Sequence, residues 1–515
     1  MEINAFITNF SESVMARILE TESTAYDDWI IVEPDEPTAI LPGDVDLTSN
    51  FTRNIKLKLP IVSSPMDTVT ESEMAIQMAL HGGIGIIHRN LTVEEQVRQI
   101  EKVKRFRSGI VETPYVIGQD KTLADLRKLI EESGKSRFPV THDGTVHGKL
   151  VGIVTDKDAD FQDPSGLVKQ HMTTKDLVTA PAHTNLEEAK RILITEKKDL
   201  LPLVDGDGFL KAIVTRSDIK KSKDYPYASK DSKERLLVGV AISVADVLGD
   251  QTRLKELIKA GTDVIVIDAS VGQSKSIADA VKIIKSSYQV EVIAGNVVSK
   301  SGIASLAKAG ADAVRVGRGV GQSCITSKVV GIGRGQAMAV MDCALEAAKH
   351  GIPIIADGGI KYPGHASMAF ALGTGSIMMG GSLACAAEAP DPPGYKRQKR
   401  GDVLYKLYRG MGSSSAIERG QEVSAGRYAQ SKMIGNVPFS PEGVDVELRI
   451  TGPVSQILDQ YRAGVSKAIS SIGARNLEEF RHKVVIERVS DIAQLEGHPA
   501  FRPVHDEPNY QSNTR

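Results

Sequence analysis

One cysteine of the chain lies where a nucleophile would be useful. Cys324 belongs to the glycine-rich stretch Gly317–Thr326, which follows a short apolar run. Glycines let a ligand approach the backbone closely, and the N–H groups of such a turn are available to an anion. Because a thiolate is a strong nucleophile, the stretch predicts covalent catalysis at Cys324. The alternative, a buried apolar cysteine, suits Cys343 and Cys385, which lie in alanine-rich helical patterns.

The elements that must position Cys324 alternate between strands and helices. Apolar runs without polar alternation are typical of strands buried on both faces of a parallel sheet. Such runs occur at Leu59–Ser63, Gly83–Ile87, Leu237–Ala241, Val264–Asp268, Val290–Ala294, Ala313–Gly317, Ile352–Ala356 and Ser376–Met379. Helical patterns lie between them at Asp250–Ala260, Ile277–Ser286 and Met338–His350. Eight strands in βα alternation predict an α/β fold, a closed (βα)8 TIM barrel.

Polar or glycine-rich turns follow most of these runs. They are Ser63–Asp67, Asp268–Ser270, Gly295–Asn296, Gly317–Gly319, Asp357–Gly359 and Gly380–Ser382. Chemistry in a βα-barrel takes place at the carboxyl ends of the strands, where such turns meet. Glycines alone would only permit tight turns. The Asp, Asn and Ser residues among them therefore predict an active site at this end of the barrel.

An internal repeat fills the gap of about 150 residues between the second and third apolar runs, a gap far longer than a βα connection needs. The segment Phe138–Asp158 is echoed by Leu201–Asp218, and the two Thr-x-x-Asp tetrapeptides stand 60 positions apart. Helical patterns at Leu123–Ser133 and Leu186–Lys197 precede the two segments. We predict a barrel in two parts, residues 1–111 and 228–515, with an inserted module at residues 112–227.

Composition and charge exclude several other classes of protein. Hydrophobic residues make up 41% and charged residues 25%, as in ordinary globular proteins. A net charge of -2 gives no electrostatic reason to expect nucleic acid or an anionic membrane as partner. The three cysteines are too few for a disulfide framework. No secretory signal or membrane-spanning apolar run is recognisable, so we expect a cytoplasmic protein.

Several blocks of the chain, taken in order, resemble the inosine-monophosphate dehydrogenase / guanosine-monophosphate reductase family over almost the full length. The matching blocks are Tyr26–Trp29, Ser63–Val69, Gly295–Val298, Gly319–Thr326, Gly333–Gln336, Ile355–Ile360, Tyr408–Ser413 and Glu442–Val444. The repeat resembles the paired cystathionine-β-synthase (CBS) motif, which typically binds adenine or guanine nucleotides. A repeat that binds nothing is the alternative.

The resemblance implies a role for each matching position. The catalytic residues would be Cys324, which adds to C2 of the purine, with Thr326, Arg427, Tyr428 and Glu442. Substrate would be bound by Ser64, Ser323, Asp357, Gly359, Gly380, Gly381, Tyr408, Gly410, Met411 and Gly412. The nicotinamide cofactor would lie against Asp268, Ser270, Asn296, Arg315 and Gly317, and a potassium ion on the carbonyls of Gly319, Gly321 and Cys324. In the module, the regulatory nucleotide would contact Thr155, Asp158, Thr215 and Asp218.

The same resemblance implies the partners of the chain. The substrate would be a purine mononucleotide and the cofactor NAD, or NADPH for a reductase. Purine nucleotides would bind the paired motif. The barrel would assemble as a homotetramer, which modules filled with ligand would pair into an octamer.

The two sister reactions of the family differ in their second half. A dehydrogenase must hydrolyse a covalent thioimidate and needs a base for water. The stretch before Glu442 has the length of the flap that supplies this base, and it carries Arg427-Tyr428. Gly381, where dehydrogenases usually carry serine, together with Val340–Cys343 and Tyr362–Gly364, resembles reductases instead. Gln322 departs from both sisters, since it replaces a serine that contacts the phosphate.

We favour the dehydrogenase because of the flap, with a GMP reductase as the alternative. A relative without catalysis, which senses nucleotides through the repeat, is a hypothesis from another class. Intact Cys324, Thr326 and Arg427 argue against it. A flavin-dependent barrel enzyme is a further alternative, which a colourless protein would exclude.

Overall fold

Eight parallel strands close into a barrel at the centre of the computed structural model, which describes residues 19, 21–35, 39–106, 110–111, 114–217, 219, 225–269, 272–423 and 440–496. The strands are β1 (Ile61–Ser63), β2 (Ile84–Ile87), β3 (Val238–Ile242), β4 (Val264–Asp268), β5 (Glu291–Val297), β6 (Ala313–Val316), β7 (Ile354–Asp357) and β8 (Ser376–Met379). Every neighbouring pair is parallel, and β8 closes on β1. The predicted (βα)8 barrel is confirmed, with each strand within three residues of its predicted bounds.

A helix follows each strand before the next one begins, as a parallel barrel requires. The outer helices are α1 (Ser72–Leu80), α2 (Val93–Arg105), α3 (Thr252–Lys259), α4 (Lys275–Ser287), α5 (Lys300–Ala309), α6 (Gln336–Lys349), α7 (Pro363–Ala371) and α8 (Val454–Ser471). Side-chain caps start several of them: Thr92 accepts from the N–H of Glu95, and Ser274 accepts from that of Ile277. Such caps satisfy N–H groups that the first turn of a helix leaves without a partner.

The barrel strands are apolar on both faces because each face packs against a core. Val62, Val266 and Ile355 belong to the cluster inside the barrel, and Phe51 joins the same cluster. Val240 and Ile265 belong to the larger cluster between the strands and the surrounding helices. This double burial explains why the runs lack polar alternation.

The inserted segment contains two units of the same topology. The first has Ile117–Gly118, Leu123–Ser133, Arg137–Thr141 and Leu150–Thr155; the second has Ala180–Pro181, Leu186–Thr195, Leu200–Val204 and Leu210–Thr215. In each unit a short strand pairs in parallel with the central strand, which pairs antiparallel with the third. Both central strands shift register directly after the Pro-containing tripeptide, at Val140 and at Leu203. The internal repeat seen in the sequence is therefore a repeat of structure.

The remaining elements surround the barrel. The strands are Trp29–Ile31, Ser49–Asn50, Lys56–Leu57, Gln398–Arg400, Val403–Arg409, Asp445–Arg449 and Ile486–Arg488. The short helices are Tyr26–Asp28, Pro42–Asp44, Asp156–Ala159, Val168–His171, Ala245–Leu248, Thr326–Val330, Gly381–Ala384, Ser414–Val423, Leu477–Lys483 and Asp491–Glu496. Among the described residues, no helix is both long enough and apolar enough to cross a bilayer.

Candidate active site

A cavity lies at the carboxyl end of the barrel strands, where the turns were predicted to meet. The following residues line it: Ser64–Met66 after β1, Ala269 after β4, Asn296 on β5, Arg315 and Gly317–Gly319 on and after β6, Asp357–Ile360 at the end of β7, and Gly380–Gly381 after β8. Tyr408, Gly410–Gly412 and Glu442–Gly443 cover it from the antiparallel sheet beside the barrel. Each of the six predicted turns thus contributes at least one residue to the lining of a single cavity.

Cys324 lines this cavity, and two backbone hydrogen bonds join its loop to residues 442–444. The N–H of Ile325 donates to the carbonyl of Glu442 at 2.8 Å, and the N–H of Val444 donates to the carbonyl of Ser323 at 2.9 Å. The Cys324 Sγ lies 3.1 Å from Thr326 Oγ1. Cys324 is partly exposed, whereas Cys343 and Cys385 are buried, and burial raises the pKa of the Cys343 thiol to about 12. A partly exposed sulfur that lines a cavity is the one that can reach a ligand.

A buried charged network forms one wall of the cavity. Arg315 donates to Asp357 Oδ2 at 2.7 Å and to Asp268 Oδ1 at 3.1 Å. Asn296 donates to the same Oδ2 of Asp357 at 2.7 Å. Burial alone would lower the pKa of the Arg315 guanidinium, but Asp357 and Asp268 outweigh it and hold that pKa above its usual value. The arginine is therefore a fixed cation that orients Asp357.

Asp268 does not line the cavity that holds the other predicted residues. It is buried behind Arg315, to which it pairs, while Asn296, Arg315 and Gly317 do line the cavity. Sequence spacing could not distinguish these positions, because the pairing partner lies 47 residues further along the chain.

The turn at Gly358–Gly359 depends on left-handed backbone and on support from the amino-terminal segment. Gly359 has φ +79°, and a Cβ there would stand 3.3 Å from the Tyr26 ring. His365 lies beneath the turn, with Nδ1 3.1 Å from the Gly359 carbonyl and Nε2 2.8 Å from Asp27 Oδ1. The hydrogen bond from His365 holds the pKa of the Asp27 carboxyl at about 2. The block Tyr26–Trp29 thus acts as a support for this turn.

The hydroxyl of Tyr408 lies at the end of the cavity that Gly380 lines. Burial raises the pKa of Tyr408 to about 12, against the effect of a hydrogen bond with Ser323. A Cβ on Gly380 would come within 3.3 Å of the Tyr408 hydroxyl and 3.0 Å of Met66 Sδ. Ser64 lines the same end, and its N–H donates to Met379 of β8 at 3.0 Å. The hydroxyl groups of Ser64 and Tyr408 are therefore neutral donors that lie beside the backbone of Gly380.

The strand Val403–Arg409, here called the covering strand, is joined to the loop after β1 by a buried ion pair. Arg409 donates to both oxygens of Asp67, at 3.1 and 2.6 Å. The N–H of Asp67 lies 3.4 Å from Met411 Sδ, so this pair also fixes the residue predicted to meet the base. The N–H groups of Glu442 and Gly443 both donate to the Gly412 carbonyl. Gly410, Met411, Gly412 and Glu442 are thereby brought to Cys324.

The carbonyls predicted for potassium lie in the same loop as Cys324. Gly319 has φ +77°, and the carbonyl of Gly321 accepts from the Cys324 N–H at 3.0 Å. The carbonyls of Gly319 and Cys324 accept no hydrogen bond within the described part of the chain. Carbonyl oxygens without a donor suit a hard cation, so the residues fit the ion.

The repeat places its two Thr-x-x-Asp segments at equivalent strand ends. The Thr155 N–H and hydroxyl both donate to Asp158 Oδ2, at 2.7 and 2.9 Å. Thr215 Oγ1 lies 2.8 Å from Ser217 Oγ. Of the other predicted site residues, Asp218, Ser270, Arg427 and Tyr428 lie outside the described residues.

Sequence reasoning assigned no role to several residues that line the cavity. Val320 belongs to the glycine-rich loop itself, Met66 belongs to the block Ser63–Val69, and Ile360 belongs to the block Ile355–Ile360. The signal that could have identified them is their position inside these blocks, since every residue of a strand-end loop is a candidate contact.

Almost the whole chain is similar to one family of known proteins. Residues 23–500 match the family model for the IMP dehydrogenase / GMP reductase domain. Inosine-5'-monophosphate dehydrogenase of Halalkalibacterium halodurans is 40% identical over 494 residues, covering 95% of this chain and 98% of that protein. The Bacillus subtilis enzyme of the same name is 39% identical, with 95% and 98% covered. A crystal structure of GMP reductase from Trypanosoma brucei in complex with guanosine 5'-monophosphate superposes with a TM-score of 0.86 at 32% identity, covering 96% of this chain and 100% of that one. The chain therefore belongs to the IMP dehydrogenase / GMP reductase family.

Proposed function

We propose that the chain oxidises inosine monophosphate to xanthosine monophosphate with NAD as hydride acceptor. The observation that carries the proposal is the match to proteins named inosine-5'-monophosphate dehydrogenase, at about 40% identity along 95% of this chain. An accessible Cys324 in the cavity supplies the nucleophile that this reaction needs.

Cys324 begins the reaction by adding its sulfur to C2 of the purine. Thr326 Oγ1, 3.1 Å from the sulfur, is placed to exchange a hydrogen bond with it. NAD, when bound, would supply the acceptor for the hydride of C2. The resulting thioimidate keeps its carbon–sulfur bond to Cys324 until water attacks C2, which releases xanthosine monophosphate and returns the thiol. Arg427, aided by Tyr428 and Thr326, removes the proton from that water, and Glu442 relays it.

Asp357 holds the ribose. Its Oδ2 is engaged by Arg315 and Asn296, and its Oδ1 has no donor among the described residues. A carboxylate oxygen with open lone pairs can accept from vicinal hydroxyls. Asn296, Arg315 and Gly317, which line the cavity, face the nicotinamide, and Asp268 acts through Arg315. Ser270 is the remaining residue that we assign to cofactor binding.

The substrate phosphate binds where Gly359, Gly380 and Gly381 line the cavity, and the base binds next to the residues that follow the covering strand. The backbone of Gly359, Gly380 and Gly381 holds the phosphate together with the hydroxyls of Ser64 and Tyr408. Ser323, Gly410, Met411 and Gly412 contact the base. Potassium, held by the carbonyls of Gly319, Gly321 and Cys324, would stabilise the loop that presents the sulfur.

The inserted module, residues 112–227, is a paired CBS motif that binds purine nucleotides and regulates the barrel of residues 1–111 and 228–515. The matching topology of its two halves supports this proposal. Thr155, Asp158, Thr215 and Asp218 contact the ribose of the ligand. The barrels form a tetramer, and modules filled with ligand pair tetramers into octamers. Replacing Asp158 with Ala should abolish the response of activity to added nucleotide while leaving activity without it unchanged.

Absorbance at 340 nm tests the main proposal, with potassium present and two parallel reactions. The first contains inosine monophosphate and NAD, and its absorbance should rise. The variant Cys324→Ala should lose this rise, while the matched control Cys343→Ala, a buried cysteine outside the cavity, should keep it. A fall only in the second reaction, guanosine monophosphate with NADPH, would contradict the proposal and assign a reductase, which the structural similarity to GMP reductase and Gly381 favour.

A further inference from the structure

A buried glutamine side chain joins the ends of two barrel strands beside the site. Gln336, the first residue of α6, is 2% exposed. Its Nε2 donates to the carbonyl of Val316 at 2.8 Å and to that of Asp357 at 3.1 Å. These carbonyls belong to the last residues of β6 and β7, and the pairing of the two strands ends one residue earlier on β7, at Ala356. The carboxamide therefore continues the connection between the strands beyond the end of their ladder.

The two strands that Gln336 joins carry different parts of the site. The glycine-rich loop with Cys324 begins directly after β6, and β7 ends at Asp357, which lines the cavity. A Cβ on Gly317 would overlap the Asp357 carbonyl oxygen and would stand 2.8 Å from Gln336 Nε2. Because these groups are so closely packed, the position of the Gln336 amide limits where the backbone of Asp357 can lie.

Tyr26 supplies the remaining partner of the carboxamide. Gln336 Oε1 and the Tyr26 hydroxyl are both buried, and neither has another hydrogen-bond partner among the described residues. Burial raises the pKa of Tyr26 above its usual value, and a hydrogen bond with Gln336 opposes part of this rise. A neutral phenol donates to an amide oxygen, so Tyr26 determines which way the amide of Gln336 points.

We propose that Gln336 is a positioning residue for ribose recognition. Its carboxamide, oriented by Tyr26, holds the backbone of Asp357 so that the carboxylate meets the ribose hydroxyls. The proposal rests on the proposed function in taking Asp357 as the carboxylate that binds ribose. Arg315 and Asn296 hold the side chain at Oδ2, whereas Gln336 holds the main chain from which that side chain extends. A hydrogen bond from a hydroxyl to a carboxylate is worth about a 10- to 100-fold change in affinity, and it weakens steeply when its geometry is lost.

Gln96 offers a matched control in the same barrel. It is fully buried in α2, and its Nε2 donates to the carbonyl of His88, directly after β2, at 3.1 Å and to that of Ala241 in β3 at 2.9 Å. This geometry repeats that of Gln336 at another pair of strands, but none of these three residues lines the cavity. Loss of either amide leaves two carbonyls without this donor, so Gln96→Leu and Gln336→Leu should disturb the barrel to a similar extent.

The test measures dissociation constants of inosine monophosphate and of its 2',3'-dideoxy analogue, without NAD, by calorimetry on the full chain. The ratio of the two constants, here called the ribose factor, should be about 10 to 100 in the wild type and in Gln96→Leu. In Gln336→Leu the ribose factor should fall by about 5-fold or more, while the affinity for the analogue stays close to that of the wild type. Tyr26→Phe removes only the hydroxyl that orients the carboxamide and should give an intermediate ribose factor.

An unchanged ribose factor in Gln336→Leu would overturn the proposal, as would an equal fall in Gln96→Leu, which would indicate a general effect on the barrel. If Gln336→Leu does not fold, an unchanged ribose factor in Tyr26→Phe overturns it instead. The same series with guanosine monophosphate and its dideoxy analogue should give the same pattern, because both nucleotides carry the same ribose. A reductase would therefore still support the role of Gln336, so a failure of the proposed reaction is distinguishable from a failure of this inference.

Discussion

Removal of Arg315 should leave two carboxylates without their cation inside the barrel. The side chains of Arg315 and Asp268 are 4% and 1% exposed, and that of Asp357 is 15% exposed. Methionine at 315 would preserve much of the volume but none of the charge. Breaking a buried ion pair by removing one partner costs about 3–5 kcal/mol, because the charge left behind has lost its hydration. Arg315→Met should therefore lower the free energy of unfolding by about 3–5 kcal/mol.

The measurement is urea unfolding followed by circular dichroism, with two further variants. Arg400 pairs with Glu447 at 2.7 Å, but its side chain is 58% exposed, so Arg400→Met should cost at most about 1 kcal/mol. Asp268→Asn in the Arg315→Met background removes one of the two carboxylates that lost the guanidinium. The double variant should recover about 1–3 kcal/mol of the loss. If Arg315→Met is no less stable than Arg400→Met, Arg315 does not neutralise these carboxylates, and its role in orienting Asp357 fails with it.

Two further predictions concern the covering strand Val403–Arg409. Lys406 is buried and donates to the carbonyls of Thr68, Ala389 and Pro390. Burial lowers its pKa to about 8, so between about pH 8 and its unfolded pKa of about 10.4 the unfolded chain binds more protons and stability rises with pH. The unfolding free energy of the wild type, relative to Lys406→Met, should rise by about 1.5 kcal/mol from pH 8 to pH 9.5, and parallel pH profiles would contradict it. Arg409, supported by His88 and Asn90, outweighs the burial of Asp67 and lowers the pKa of that carboxyl. Asp67→Asn should lower the free energy of unfolding by about 3–5 kcal/mol at neutral pH, in the same unfolding measurement. The difference from the wild type should disappear only below about pH 4, where the wild-type carboxyl is protonated. A difference that stays constant down to about pH 2 would contradict this prediction.

The barrel could be predicted from the sequence because two patterns mark its strands: the apolar run itself and the polar or glycine-rich turn that follows it. Runs such as Val264–Asp268 are apolar without interruption, and each is followed by polar residues or glycine at the point where a strand must end. Both signals come from the same cause, since a strand buried on two faces ends at the edge where solvent and ligands begin. The repeat was recognisable for a similar reason, because two identical topologies need the same residues at the same turns.

The partners of the charged residues could not be predicted, since they depend on tertiary contacts. Lys406 lies in a strand whose sequence, Val403–Arg409, is compatible with a lysine facing solvent, yet its ammonium is buried among carbonyls. Asp268 was assigned to the cofactor from the sequence, which gave no sign that Arg315 is its partner. The contact of Gln322 with Gly381 joins residues 59 positions apart, so the sequence shows only that each is unusual. Local patterns determine where a strand ends, but not which side chains meet there.

The backbone on either side of the predicted flap also bears on the choice between the two sister reactions. Ser413 donates its N–H to the carbonyl of Gly410, and Glu442 donates its N–H to the carbonyl of Gly412, so the described residues on both sides of this stretch are held at the cavity. The returning residues then pair with the Cys324 loop through Ile325 and Val444. A segment anchored in this way and long enough to carry Arg427-Tyr428 is what hydrolysis of a thioimidate requires. A reductase, in which Cys324 displaces ammonia and hydride is then added to C2, has no use for that water-activating pair, so the presence of Arg427-Tyr428 in this stretch favours the dehydrogenase.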